Sequence, residues 1–465
     1  MFGWKIRFSS QRKIIKKKWY VGLLPLELFD RLKRSQLLSP GFFLTALLVF
    51  IPIIIWLSYQ PNSIKNPFIA VAKFNAFMAI STLSVNFILS TRVRLFEKLF
   101  FGLDKMYRVH KLIGRASLLF MGLHPIFLII RQTSEQKPFL SLIIPVGSLE
   151  VSAGIIALYV FIFLILLTVS VNIPYHWWHN SHKLLGVVLI IAGYHAVAAG
   201  SDINNYFYLK WWVIFICVVG VVCWLYMLFF YKLIGPKYPV VIEKVKHLGQ
   251  ITELYFKKPA GFSFQPGQFI FIRFPRFEGY KELFPFSLSN DPSQNMLRVS
   301  IKQSGDYTKE KIPLLNAGDQ AVLMGPYGTF GQRYLRHDQD MVWIAGGIGI
   351  TPFLSLAKHE SIHPSRRKIH LIWVIKNRND VFHDHELHAE MKRNKKFSYV
   401  HWFSDTQGRI TAEDIASIIG EKIELKKRLI FMCGPPPMMY SLCKGFHYMK
   451  ISHRHIIFED FNMLD

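Results

Sequence analysis

Cysteine is scarce, with Cys217, Cys223, Cys433 and Cys443 the only four in 465 residues. Their spacing matches neither a zinc ligand set nor a disulfide framework, so neither device staples the fold. Acidic residues are few as well, 30 against 56 lysines and arginines, which leaves a formal charge of +26. No calcium loop of the EF-hand type is present, which excludes calcium control by that route. The first 20 residues hold no apolar stretch of signal-peptide kind, so no cleaved leader is expected.

What the chain does have is apolar length. It is 51% apolar, and the long runs fall between residues 41 and 232. Spans of roughly 20 residues, enough for about 30 Å of hydrocarbon, are expected to begin near Phe42, Ile69, Tyr107, Val151, Lys183 and Leu209. Bases crowd the segment before the first span and the loop with Arg92, Arg94, Lys98 and Lys105, whereas the alternate loops carry only Lys65, Arg131 and Lys137. The positive-inside rule then puts both termini in the cytosol, and an integral protein of the plasma (inner) membrane is expected. The basic N-terminal segment is expected on anionic lipid and not on nucleic acid, since topology already accounts for the bias.

Four histidines lie in two of these spans. The third runs from His110 to His124-Pro125, and the fifth opens near His182-Lys183 and reaches His195. Ionisable groups are costly in a bilayer, so two matched pairs need a role. Polar glue between helices is one reading. Two stacked haems, each held by one histidine from each helix, is the economical one. Both spans run outward, which pairs His110 with His182 on the inner side and His124 with His195 on the outer. Fourteen residues rise about 21 Å and return within roughly 40° of the starting face. Thirteen residues, the spacing from His182 to His195, land about 140° away. A π-bulge or an irregular first turn would repair that, and His176 and His179 are rival inner ligands.

From Tyr238 the pattern changes to short β-rich runs such as Phe269–Phe274, suited to an antiparallel barrel. Gly305 and Thr308 form a turn into a helix start that would receive a pyrophosphate. Asp340–Ala345 reads as a buried strand, followed by Gly346-Gly-Ile-Gly-Ile-Thr-Pro352 and an apolar helix. That order suits a dinucleotide cradle, although the spacing is Gly-x-Gly-x-x-Pro and misses the usual fingerprint. His370–Ile375 and Arg428–Met432 supply two more strands, the second leading into Cys433-Gly-Pro-Pro-Pro437.

Together these residues resemble the ferric reductase and NADPH oxidase superfamily, as a bacterial-type membrane flavocytochrome b with a ferredoxin-reductase-like module. The resemblance implies a multi-domain chain: a basic segment over 1–40, a six-helix transmembrane α bundle over 41–232, an FAD-binding antiparallel β-barrel over 233–335 and an α/β NAD(P)H-binding domain over 336–465. It supports His182 as the inner ligand. It implies FAD contacts from Pro285, Phe286, Ser287, Gly305, Thr308 and Phe461. It implies NADPH contacts, with NADH possible, from Gly347, Gly349, Pro352, Arg378, Arg409, Cys433, Gly434 and Pro435, with Cys433 beside the nicotinamide. The pattern departs at Phe284, where the oxidases carry histidine and the soluble reductases arginine, and at Phe461, four residues short of the end. The implied activity is electron transfer from NADPH through FAD and two b haems to an external acceptor, a ferric chelate or oxygen, with no catalytic acid or base. The alternative is a non-enzymatic haem-binding membrane transporter or cytochrome subunit with an idle flavin module.

Overall fold

The computed structural model describes residues 39–170, 175–199, 202–231, 235, 237–277, 283–420 and 422–459. The basic N-terminal segment and Phe461 lie outside them.

Six helices among the described residues are long and apolar enough to cross a membrane. They are α1 (Pro40–Ser58), α2 (Pro67–Ser90), α4 (Leu103–Ser134), α5 (Leu149–Ser170), a fifth made of α6 (Tyr175–Lys183) and α7 (Leu185–Ala198), and α8 (Phe207–Leu225) with a π turn over Tyr226–Phe230. A short α3 (Arg94–Leu99) links α2 to α4.

The helices begin earlier than hydropathy alone suggests, because caps start them. Ser39 Oγ accepts from Phe42 N–H before Pro40, and Asn66 Oδ1 accepts from Phe68 and Ile69 N–H before Pro67. The third span does not stop at Pro125 but continues to Ser134. Proline removes one backbone donor there, and the apolar residues beyond it carry the helix on. Outward faces keep large apolar side chains exposed, Phe163 at 61% and Ile54 at 59%, as lipid solvent allows. Helix α2 is central and mostly buried. Gly220 brings α8 against it, since a Cβ there would lie 3.1 Å from Ser84 Cα.

The second half holds two sheets. The first is antiparallel with order β4-β3-β6-β1-β2-β5: β1 (Lys237–Leu248), β2 (Ile251–Lys257), β3 (Phe269–Arg273), β4 (Phe284–Ser287), β5 (Met296–Lys302) and β6 (Gln320–Tyr327). A bridge between Leu288 and Val299 brings the β4 end against β5 and closes it into a barrel. Ile242, Leu254, Ile270, Ile272, Leu297 and Leu323 fill the interior.

The second sheet is parallel with order β11-β10-β7-β8-β9: β7 (Met341–Gly346), β8 (Ile369–Ile375), β9 (Phe397–Phe403), β10 (Leu429–Cys433) and β11 (Ile456–Glu459). The chain leaves β7 toward β8 and later returns on its other side at β10. That reversal opens a crevice beyond the carboxyl ends of β7 and β10.

Barrel and bundle meet through α3 and the start of α4. Glu97 Oε1 accepts from Gly328 N–H at 2.7 Å, Thr329 Oγ1 donates to Phe101 O at 2.6 Å, and the Arg92 guanidinium lies 4.2 Å over the Phe271 ring.

Candidate functional site

The four membrane histidines meet as two ring pairs. His110 faces His182 with centroids 6.2 Å apart, and His124 faces His195 at 6.4 Å. The first pair is nearer the barrel, since α4 starts at the junction. Backbone carbonyls set three of the rings. His110 Nδ1 lies 3.0 Å from Asn86 O, His124 Nδ1 2.9 Å from Ala72 O, and His195 Nδ1 2.7 Å from Glu150 O. A carbonyl only accepts, so each Nδ1 carries the proton and each Nε2 offers a lone pair. His182 is held more loosely, its Nδ1 3.5 Å from Thr168 Oγ1, whose own proton goes to Leu164 O.

Two neutral imidazoles with Nε2 lone pairs turned to a partner cannot satisfy each other, but one metal ion between them satisfies both. An imidazole–metal bond is about 2 Å for a first-row ion such as zinc, so a shared ion sets ring centroids about 6 Å apart. The observed separations fit. Among the described residues no cluster of three or more His, Cys, Asp or Glu could hold a metal ion. Gly154 makes room for the second pair, since a Cβ there would lie 2.7 Å from the His195 ring. Of the rival ligands, His179 sits one turn before His182 with its ring 6.2 Å from Trp178, and the side chain of His176 lies outside the described residues.

In the sheet half, the crevice beyond β7 and β10 is a cleft of 940 Å³ whose lining includes Gly346, Gly347, Arg409 and Pro435. Here the main chain itself forms the wall. Gly347 has φ +54, a left-handed conformation suited to glycine. A Cβ on Gly349 would lie 2.3 Å from Cys433 O, and one on Gly434 2.8 Å from Gly346 Cα. Pro352 sits in the first turn of α10 (Thr351–Ile362), just past that turn. The cleft brings Gly347, Arg409 and Pro435 together. Arg378 stands outside its lining, 6.0 Å over the Phe403 ring.

Pro285, Phe286 and Ser287 lie on β4, the first strand in the barrel's ladder order, with Ser287 buried. Gly305 caps the short helix α9 (Asp306–Glu310), and the Thr308 hydroxyl accepts from Ser304 and Gly305 N–H, closing that turn on itself. Phe284 stacks on Tyr307 at 4.1 Å and 15°. The aromatic at the departure from the family pattern therefore ties β4 to the Gly305–Thr308 turn.

Comparison with known proteins agrees with this division. A family model described as ferric reductase like transmembrane component matches residues 75–193, an FAD-binding domain matches 239–329, and an oxidoreductase NAD-binding domain matches 343–444. The chain is similar to the reductase component of propane 2-monooxygenase from Rhodococcus jostii, 27% identical over 39% of this chain and 51% of that one. It is similar to flavohemoprotein A from Dictyostelium discoideum, 29% identical over 48% and 60%. It is also similar to a superoxide-generating NADPH oxidase heavy chain from Dictyostelium discoideum, 23% identical over 52% and 50%. The chain belongs to the ferric reductase and NADPH oxidase superfamily. It spans about half to three fifths of the length of these relatives. The superfamily's transmembrane match contains His110, His124 and His182.

Sequence reasoning missed a polar lock between the superfamily's two sheet domains. Arg298 on β5 makes a bidentate contact to Glu386, at 2.6 and 2.9 Å, and His383 Nε2 lies 2.6 Å from Glu253 on β2. Burial alone would lower the His383 pKa, but the carboxylates of Glu253 and Glu386 overcome it and raise it. The lock joins residues far apart in sequence, so no local spacing announces it.

Proposed function

We propose that the chain carries electrons across the plasma membrane from cytosolic NADPH, with NADH as a possible donor, to an external acceptor, a ferric chelate or dioxygen giving superoxide. The carrying observation is the two facing histidine pairs on one pair of helices, with both Nδ1 protons of the His124–His195 pair given to backbone carbonyls, which leaves each Nε2 a lone pair free to bind. When bound, FAD supplies hydride acceptance and single-electron release, and two b haems supply one-electron carriage.

The residues serve those groups by position. His110 and His182 would hold the inner haem, and His124 and His195 the outer, with backbone carbonyls fixing the tautomer of three of the four rings. Pro285, Phe286 and Ser287 would line the flavin on the open side of β4, with Phe461 as its shield. Gly305 and Thr308 would shape the turn at its pyrophosphate. Gly347, Gly349, Pro352, Gly434 and Pro435 let backbone approach the dinucleotide closely, with Arg409, assisted by Arg378, for a 2′-phosphate and Cys433 beside the nicotinamide. Contact between the barrel and the Arg92–Lys105 loop supports a cytosolic position for both sheets, since that loop is the basic one. Arg131 is paired with Glu135 at 2.8 Å, which favours an interfacial role for it over one at an acceptor.

The test is the visible spectrum of detergent-purified protein given FAD and NADPH without oxygen. The expected result is reduction of bis-histidine b-type haem. Bound haem that dithionite reduces but NADPH does not would overturn the route.

A further inference from the structure

Arg92 stands just beyond the end of α2, where the bundle meets the barrel. What surrounds its guanidinium is aromatic. It lies 4.2 Å over the Phe271 ring on β3 and 5.6 Å over the ring of Tyr231, which follows the π turn after α8. Its Nε–H donates to the Tyr107 hydroxyl on α4 at 3.1 Å. Tyr231 and Tyr327 continue the wall, their hydroxyls 3.0 Å apart, and both are buried with Phe271. Nη1 of Arg92 is buried and has no hydrogen-bond partner among the described residues. Among those residues Arg92 has no ion-pair partner either. Glu97, at the same junction, accepts from Gly328 N–H instead. Arginine stays protonated in proteins, so a positive charge is held here among aromatic rings with no carboxylate against it.

Both ends of this contact lead toward a proposed cofactor. Phe271 pairs with Pro285 in the β3–β4 ladder, so it sits beside the candidate flavin strand. Tyr107 precedes His110 by three residues on α4, and the two rings meet edge to face with centroids 6.1 Å apart. The His110 ring is otherwise set by Asn86 O at Nδ1 and by the facing His182 ring. Arg92 therefore touches the barrel through Phe271 and, through Nε, the residue packed on His110. A fixed cation in a low-dielectric setting favours whichever nearby state carries one more electron. Ferric haem gains one electron on reduction, so a charge held close to its ligand raises its potential.

We infer that Arg92 tunes the inner haem: its guanidinium, clamped on Phe271 of the barrel, stabilises the reduced form of the haem at His110 and leaves the outer haem unaffected. This rests on the haem reading above, and the two fail differently. Wild-type protein without haem would refute the haem reading itself. Two haems whose potentials ignore Arg92 would refute this inference and leave that reading standing.

The test is redox titration of the haem absorption bands in wild type, Arg92→Met, Arg92→Lys and Phe271→Leu. The step that persists in His124→Ala is the inner one. Arg92→Met removes the charge and keeps the length. Reduction of the inner haem is expected to become about tenfold less favourable, which is about 59 mV for a one-electron couple, with the outer step unchanged. Arg92→Lys keeps the charge and should recover part of the shift. Phe271→Leu removes the ring that holds the guanidinium and should give a smaller shift of the same sign. An unchanged inner step in Arg92→Met, or equal shifts of both steps, would overturn the inference. If Arg92→Met does not accumulate, Phe271→Leu decides: a lowered inner step with the outer one in place supports the role, and no shift overturns it.

Discussion

The membrane half and the sheet half build their sites in opposite ways. In the bundle the candidate ligands are side chains in the middle of helices, oriented by carbonyls of neighbouring helices, as Ala72 O orients His124 and Glu150 O orients His195. In the sheets the site is made of the strand ends themselves, where the loops after β7 and β10 touch backbone to backbone. The solvent explains the contrast. Hydrocarbon offers no hydrogen bonds, so a buried imidazole must take its partner from the protein. A nucleotide phosphate is recognised by backbone N–H groups, so the useful feature there is a missing side chain.

The contrast is tested most strongly at the histidines. His124→Ala is expected to remove one of the two haems and abolish transfer across the membrane, with the first pair's spectrum intact. Haem per polypeptide in the reduced-minus-oxidised spectrum measures it. Loss of both haems would show that the pairs are not independent sites.

Gly349→Ala comes next. Its Cβ would meet Cys433 O at 2.3 Å, whereas a Cβ on Gly305 meets nothing within 4 Å. The first change is expected to destabilise by about 1–3 kcal/mol as overpacking does and to weaken NADPH binding. Gly305→Ala should leave thermal unfolding unchanged. Equal effects would break the claim that close main-chain approach defines the cleft.

Gly154→Ala pushes on the His195 ring from α5. It should shift the potential of the second haem and leave the first alone, as redox titration would show.

A smaller effect is expected at the junction between the halves. Burial is the main cause raising the Glu97 pKa, to about 7, while the Gly328 N–H pulls the other way. A carboxyl raised in the folded state means that the docked form holds an extra proton. Its contribution is full below the ordinary carboxylate value and is lost as pH rises through about 7. Hydrogen exchange of residues 328–330 should therefore quicken between about pH 5 and 7, and Glu97→Gln should flatten that dependence. A slope that survives the substitution would assign it to another group.

The smallest effect is expected at Arg131. Its partner Glu135 is an exposed helix neighbour, so Arg131→Gln should leave melting and both haem potentials where they were.

Much of this was legible from residue order. Six spans, the Phe269–Arg273 strand, and the Met341–Gly346 strand with its glycine turn follow from hydropathy and period. Strands β9 and β11 were not singled out. Ser39 and Asn66 escaped because a hydropathy window sees only apolar length, while a cap is one polar side chain. The Arg298–Glu386 contact escaped because its partners are 88 residues apart.

Spacing alone determined that His110 and His124 share one face of a continuous helix, since fourteen steps nearly complete four turns. Composition determined which half meets lipid and which meets water. Only the tertiary structure decided how His182 comes to face His110 across the thirteen residues that separate it from His195. The span is interrupted at Leu184, and Trp224, 41 residues away on another span, donates to Lys183 O beside that interruption. A backbone group in hydrocarbon takes whichever donor packing brings near it, and no local pattern names that donor in advance.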